Sequence, residues 1–311
     1  MKGKNILIIG SQGFIGKNIV EKLSEDNNLV LFDRDFSQLN TAVLNLSNVK
    51  FVEGNLSAYE LIENTITINR IDIVIHLVSS LIPSSESSDF FNEFQEVIEP
   101  TYKLLNYLCK KKIKVIFFSS GGTIYGETNE NLITEKHVSE PINYYGYSKL
   151  LIENYIQYLH RTNGLTYVII RPSNVYGKYQ RLDRKQGFIA VAIGKIIANK
   201  AVEIFGDGET IRDYIDVTDL ALVISKLVKQ DIKNKVLNVG SGVGVSLNEI
   251  LTHLQSIIHK DIIIINKNNR KVDVDKVILD IRELKKNINF EPKEIGQGIK
   301  DFLSYIRENN E

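Results

Sequence analysis

Apolar residues in the first half of this chain fall into short, dense runs separated by stretches of helical period. The runs lie at 5–9, 29–32, 49–52, 71–77, 114–118 and 166–170. Strands buried on both faces of a parallel sheet need such runs. Between them, Ile19, Val20 and Leu23 open a helical pattern, 58–69 and 89–112 continue it, and a further helix starts at 144 and runs through Leu150, Leu151, Ile152, Tyr155, Ile156 and Leu159. Strand alternating with helix is the rhythm of a doubly wound sheet. Beyond about 170 that rhythm weakens. Helices are expected at 186–200, 219–229, 247–259 and 295–307, and strands at 202–205, 214–217, 236–240 and 262–265. Ser246 and Glu249 have the spacing to cap the helix at 247. The expected architecture is α/β. A Rossmann doubly wound parallel sheet spans 1–170, and a smaller C-terminal α/β substrate domain spans 171–311, with the chain crossing back into the first.

Composition narrows the partners. The 311 residues are 43% hydrophobic, and Lys+Arg and Asp+Glu are 38 each, so formal charge is zero. That gives no bulk electrostatic case for nucleic acid or an anionic membrane. No apolar run approaches the ~18 residues of a membrane span, and the N-terminus lacks a signal-peptide pattern, so a cytoplasmic location is expected. The single cysteine, Cys109, lies in an apolar helical run and reads as a packing residue. Five scattered histidines and isolated carboxylates such as Asp273 and Asp275 lack metal-ligand spacing, so no metal is expected.

The first strand runs into Gly10-Ser11-Gln12-Gly13-Phe14-Ile15-Gly16 and then into a helix. One glycine makes the turn, one lets backbone approach a pyrophosphate, and one lets helix pack on strand. The helix N-terminus offers unpaired amides to the phosphates. Asp33 ends the second strand, where a carboxylate accepts hydrogen bonds from ribose hydroxyls and repels a 2′-phosphate. NAD is therefore favoured, while Arg34, able to serve a 2′-phosphate, keeps NADP open. A plain turn residue is the other reading of Asp33. Asn55 and Leu56 follow the third strand, where the adenine would lie.

Tyr145 and Lys149 stand four residues apart in Tyr144-Tyr145-Gly146-Tyr147-Ser148-Lys149. On a helix they share a face, and an ammonium beside a phenol favours the phenolate. Such a pair can serve as a proton acceptor; alone, the spacing also fits a solvated surface.

The ordered set of motifs makes the chain resemble the extended short-chain dehydrogenase/reductase family, in particular its nucleotide-sugar epimerases of the UDP-glucose 4-epimerase type. The matching stretches are Gly10-x-x-Gly13-x-x-Gly16, Asp33, His76-Leu77, Ser119-Ser120 with Ile124-Tyr125-Gly126, Tyr145-x-x-x-Lys149, Arg171-Pro172-Ser173-Asn174-Val175-Tyr176-Gly177 and Arg212-Asp213-Tyr214-Ile215. The resemblance implies that Tyr145 is the catalytic acid/base, and that Lys149 holds the nicotinamide ribose and lowers the tyrosine's pKa. It also implies that Leu77 lines the cofactor, that Asn174 and Arg212 grip a substrate diphosphate, and that Phe205 walls the base. An ion pair of Arg212 with Asp213 or Asp216 is the plainer alternative. Two departures stand out. The family's usual serine or threonine three residues before the Ile-Tyr-Gly is Gly121, which leaves Thr123, then Ser120, to supply that hydroxyl. The family's Asn-Val-x-Gly-Thr reads Val97-Ile98-Glu99-Pro100-Thr101, and Pro100 predicts a kink.

The leading expectation is NAD-dependent epimerisation of a nucleotide-diphosphate sugar at C4, by a homodimer formed through the helices near 89–112 and 144–164, as in relatives. The alternative is an NAD(P)H-dependent reductase of a 4-keto-6-deoxy nucleotide sugar. A 4,6-dehydratase fits less well, since residues 121–123 are Gly-Gly-Thr. A cofactor-bound regulator without turnover would not need the Tyr145/Lys149 pair. The basic stretch from Lys178 through Tyr179, Arg181 and Arg184 to Lys185 reads equally as a solvated loop or as a lid over an anionic substrate.

Overall fold

The computed structural model describes residues 3–37, 41–184, 186–267 and 276–309. Seven parallel strands form the main sheet: β1 (Asn5–Ile9), β2 (Asn28–Asp33), β3 (Val49–Glu53), β4 (Ile73–His76), β5 (Lys114–Phe118), β6 (Tyr167–Pro172) and a late strand, Lys235–Val239. Their spatial order is β3-β2-β1-β4-β5-β6, with the late strand beyond β6. Strand order reverses between β1 and β4, and ligands of doubly wound sheets bind outside the carboxyl ends of the strands at such a switch point. The expected Rossmann sheet is present.

Two-sided burial explains the dense strands. In β1, Ile6 and Ile8 enter one core while Leu7 and Ile9 enter the other, on the opposite face. Helix α1 (Phe14–Ser24) follows β1, the single turn α2 (Thr41–Leu44) follows β2, and α3 (Tyr59–Ile68) follows β3. The helix expected at 89–112 is instead broken in three. It runs as α4 (Ser87–Glu93), a π-helical turn (Phe94–Ile98) and α5 (Glu99–Lys111). The π turn abuts Pro100, in the first turn of α5. Proline has no N–H to give the preceding turn, and its ring crowds the carbonyl there, so the ladder loosens where the kink was expected. Helix α6 (Tyr144–Asn163) starts at Asn143, whose side chain accepts from the Gly146 amide.

After β6 the chain builds a second lobe. A four-stranded sheet holds β7 (Asn174–Tyr176), β9 (Ile211–Asp216), β11 (Gly244–Ser246) and β13 (Lys276–Val277) around β9, and β8 (Val202–Phe205) pairs with β12 (Ile264–Lys267). Helices α7 (Phe188–Ile197), α9 (Leu247–Ile258) and α11 (Ile295–Asn309) enclose its core. Ser246 Oγ accepts from the Glu249 amide and the Glu249 carboxylate accepts from the Ser246 amide, the expected capping box. The strand expected at 214–217 is shifted: β9 begins at Ile211, and Val217 already belongs to α8 (Val217–Lys229). The strand expected at 262–265 sits two residues later. Helix α8, the late strand (β10) and α10 (Arg282–Asn287) contribute Leu220, Ile224, Leu237 and Leu284 to the core of the first sheet. Much of 171–311 therefore packs with the first sheet.

Candidate active site

The glycine turn locks onto its neighbours. Gly10 has a φ of 87°, in the left-handed region, and its amide donates to the Phe32 carbonyl at 2.9 Å. A Cβ on Gly16 would lie 2.8 Å from the Ser11 carbonyl carbon and oxygen, so only glycine lets α1 come this close. Gly13 is the exposed N-cap of α1, and Phe14 and Ile15 are half-buried in its first turn. Asp33 Oδ2 accepts from the Gln12 amide at 2.7 Å and Oδ1 from the Arg34 amide at 2.7 Å, while Arg34 itself is exposed.

A cleft of about 230 Å³ opens here, lined by Gln12, Gly13, Lys17, Asp33 and Asp35. Beside it, Ser11 Oγ and Gln12 Oε1 are buried with no partner among the described residues. Buried polar atoms rarely stay unpaired. A side-chain-free cradle, orphaned polar atoms and two carboxylates at the β2 edge fit the pyrophosphate and ribose of a dinucleotide. Asn55 is exposed past β3, but the Leu56 side chain is buried in the core beside Ile62, so it can offer a nucleotide only its backbone.

Leu77 continues from β4, donating to the Ile9 carbonyl at 3.0 Å. A Cβ on Gly10 would lie 3.3 Å from Leu77 Cβ and 3.2 Å from Val78 Cγ2. Val78 connects the cradle to the second group, because its carbonyl accepts from Lys149 Nζ at 3.4 Å. Lys149, 2% exposed, stands 5.7 Å from the Tyr145 ring centroid and 5.2 Å from that of Phe117. The pair expected from sequence is assembled, and its lysine points inward rather than to solvent.

Its electrostatics differ from expectation. Burial pushes the Tyr145 phenol up to about 12, with the Ser120 hydroxyl pulling it back and the Glu93 charge adding to the rise. Burial pulls the Lys149 ammonium down to about 8, against the charges of Glu93 and Glu153. His76, at the end of β4, is driven down to about 3 by burial and then by the Lys149 charge, and its Nε2 pairs with Thr101 Oγ1 at 3.0 Å. In the protein alone, burial outweighs the Ser120 hydroxyl, and the tyrosine rests as a neutral phenol.

Thr123 Oγ1 donates to Ser120 Oγ at 2.9 Å, and Ser120 faces Tyr145. Both hydroxyls proposed in place of position 121 thus line the same spot. Gly122 stands between this loop and Asn174, where a Cβ would be 3.8 Å from Asn174 Oδ1. Asn174 Nδ2 donates to the Asp213 carbonyl at 3.0 Å, which ties it to the strand carrying Arg212. Arg212 is half-buried on β9 and donates to its neighbour's carbonyl, Ile211 O, at 2.9 Å. The Asp213 carboxylate accepts from Ser241, Gly242 and Leu279, and that of Asp216 from Thr218 and Lys293. Phe205 ends β8, half-buried.

The basic stretch after Gly177 is anchored at its start. Lys178 pairs with Glu21 of α1 at 2.8 Å, and the Tyr179 hydroxyl donates to the same carboxylate. Arg181 pairs with Asp183 at 2.6 Å. Lys185, Asp273 and Asp275 lie outside the described residues. Among the described residues no three His, Cys, Asp or Glu side chains gather as metal ligands, and no helix is long and apolar enough to cross a membrane.

Sequence reasoning left three supporting residues without a role, Arg171 among them although it opens a matching stretch. Arg171 makes a bidentate pair with Glu153, Nε to Oε1 at 3.0 Å and a terminal nitrogen to Oε2 at 2.6 Å, and donates to the Tyr125 hydroxyl at 2.9 Å. Glu153 continues the 145, 149 stripe by another four residues, a spacing that was there to be read. Glu93 is the third, and nothing in its local pattern sets it apart from Asp89 or Glu96.

A family model described as the NAD dependent epimerase/dehydratase family matches residues 6–240, and the chain belongs to that family. Among its relatives, a putative UDP-glucose 4-epimerase of Methanocaldococcus jannaschii is 32% identical, over 98% of this chain and 99% of that one. A dTDP-4-dehydro-6-deoxyglucose reductase of Escherichia coli is 27% identical over 97% of both. The crystal structure of the Thermotoga maritima UDP-glucose 4-epimerase with UDP-glucose matches with a TM-score of 0.90 at 32% identity, over 99% of this chain and 100% of that one.

Proposed function

We propose that the chain catalyses NAD-dependent epimerisation of a nucleotide-diphosphate sugar at C4. The observation that carries this reading is the chain of contacts from the glycine cradle through Val78 to Lys149, Tyr145 and Ser120. It sets a proton-transferring phenol beside the end of a dinucleotide site. Gly10, Gly13 and Gly16 would hold the pyrophosphate, Asp33 the adenosine ribose and Lys149 the nicotinamide ribose. NAD bound there supplies a hydride acceptor and donor and, when oxidised, a positive ring.

Tyr145 takes the sugar's hydroxyl proton and later returns it. Moving its pKa from about 12 to ~7 requires roughly 7 kcal/mol of differential interaction. Lys149 is already in place when the phenol stands that high, so the positive ring of the oxidised cofactor has to supply most of that sum. Ser120, oriented by Thr123, hydrogen-bonds the reacting oxygen. Arg212 and Asn174 hold the diphosphate, to which a guanidinium fork is suited, and Phe205 lies along the base. In this reading the first sheet with β10 binds the cofactor and the second lobe binds the sugar nucleotide, with the reaction in the cleft between them.

Incubation of the purified protein with UDP-galactose should yield UDP-glucose without net change in added NAD, and Tyr145→Phe should not. A 4-keto-6-deoxy nucleotide sugar consumed with NADH or NADPH, and no epimerisation, would favour the second reading, a reductase. The full-length similarity to the E. coli reductase supports that alternative.

We also propose a homodimer through α4, α5 and α6, in the cytoplasm. Helix α4 exposes Phe91, the π turn between α4 and α5 exposes Phe94, and α6 exposes Tyr147 and Tyr158, apolar surface that a second copy would cover. Light scattering should report twice the chain mass.

A further inference from the structure

Glu93 ends α4, directly before the π turn, and is 1% exposed. Its carboxylate takes three hydrogen bonds from consecutive serines. Oε1 accepts from Ser79 Oγ at 2.9 Å, and Oε2 accepts from the Ser80 amide at 2.9 Å and from Ser80 Oγ at 2.5 Å. None of the ion pairs among the described residues includes it. A buried carboxylate held only by neutral donors is costly, and this one lies where its field reaches the reacting groups. Ser79 and Ser80 follow Val78, whose carbonyl receives Lys149 Nζ. Glu93 therefore fixes the backbone that positions the ammonium.

Resting on the reading of Tyr145 and Lys149 given above, we propose that Glu93 is a positioning residue for that pair: its carboxylate fixes the Val78 carbonyl against the Lys149 ammonium and supplies the buried negative charge that balances it. The groups facing the pair are few. Glu93 acts from α4 and Glu153 from within α6, both favouring the charged lysine. From β4, His76 stays neutral, and from β5 the Phe117 ring centroid stands 5.2 Å from the Lys149 ammonium. Glu93 also opposes the Tyr145 phenolate. The site thus holds a charged lysine and a protonated tyrosine until a second positive charge arrives.

The test is the titration of Lys149 in the cofactor-free full chain, followed by NMR of 13Cε-lysine and assigned by the signal missing in Lys149→Arg. The wild-type midpoint should lie near 8. Glu93→Gln should lower it by roughly one unit, and Glu93→Asp, which keeps the charge, should restore most of that shift. In the catalysed reaction, Glu93→Gln should move the alkaline limb of the pH profile the same way. An unchanged Lys149 midpoint in Glu93→Gln would overturn the proposal, whatever substrate the protein proves to use. Should Glu93→Gln fold poorly, a double-mutant cycle of Tm with Lys149→Met decides. Coupling between the two positions supports the proposal, and strict additivity overturns it.

Discussion

Leu279 fills the space that a side chain at position 121 would need. A Cβ on Gly121 would lie 2.5 Å from Leu279 Cδ1 and 2.9 Å from the Arg171 carbonyl oxygen. The second contact is with backbone and cannot yield cheaply. The hydroxyl the family carries at this position is excluded by packing, and Ser120 with Thr123 occupies the neighbouring ground.

Gly121→Ser should therefore cost about 1–3 kcal/mol of stability, the usual range for overpacking, and should not raise activity. A urea denaturation curve checks the first part. A serine accommodated with an unchanged midpoint would mean that Leu279 does not confine this loop.

Tyr145→Phe should lower kcat by ~100-fold or more while leaving the fold and bound nucleotide in place. Ser120→Ala should cost more than Thr123→Ala, because Ser120 faces the phenol and Thr123 only orients it. Steady-state kinetics of the three variants check the order.

Removing either member of the buried Arg171–Glu153 pair strands a charge between α6 and β6. Arg171→Met should cost about 3–5 kcal/mol, and the double change Arg171→Met with Glu153→Met much less. Denaturant midpoints of both variants test this.

Acid should act through His76. Its folded pKa, about 3, is below the ordinary value, so its neutral form contributes stability that is present above pH ~6.5 and is lost as pH falls toward 3. Between pH 6.5 and 4 the wild type should lose about 3 kcal/mol more than His76→Asn. Equal losses in the two proteins would remove His76 from the acid response.

Asp33 should set cofactor choice. Asp33→Ser should weaken NAD about 10- to 100-fold and, with Arg34 retained, raise the NADP to NAD affinity ratio. Calorimetric titration with both dinucleotides measures it.

The sheet was legible because both of its faces are buried: runs such as Ile6–Ile9, too short for a helix and closed by Gly10, favour strands. The cradle and the Tyr145/Lys149 pair were legible because their spacing is local. What escaped reading depends on contacts distant in the chain. Leu279 meets Gly121 and Glu93 meets Ser79–Ser80 only after folding. The strands β7, β11 and β13 have just three, three and two residues, too short for any period to show. The tyrosine's raised pKa follows from burial by the surrounding fold, which the four-residue spacing cannot report.

The most direct test of the whole account is the nucleotide that the purified protein releases on denaturation. Near one NAD+ or NADH per chain means a cofactor recycled within each turnover, as epimerisation requires. An empty site that binds and consumes NADPH or NADH only with a 4-keto sugar nucleotide would contradict it and make the protein a reductase.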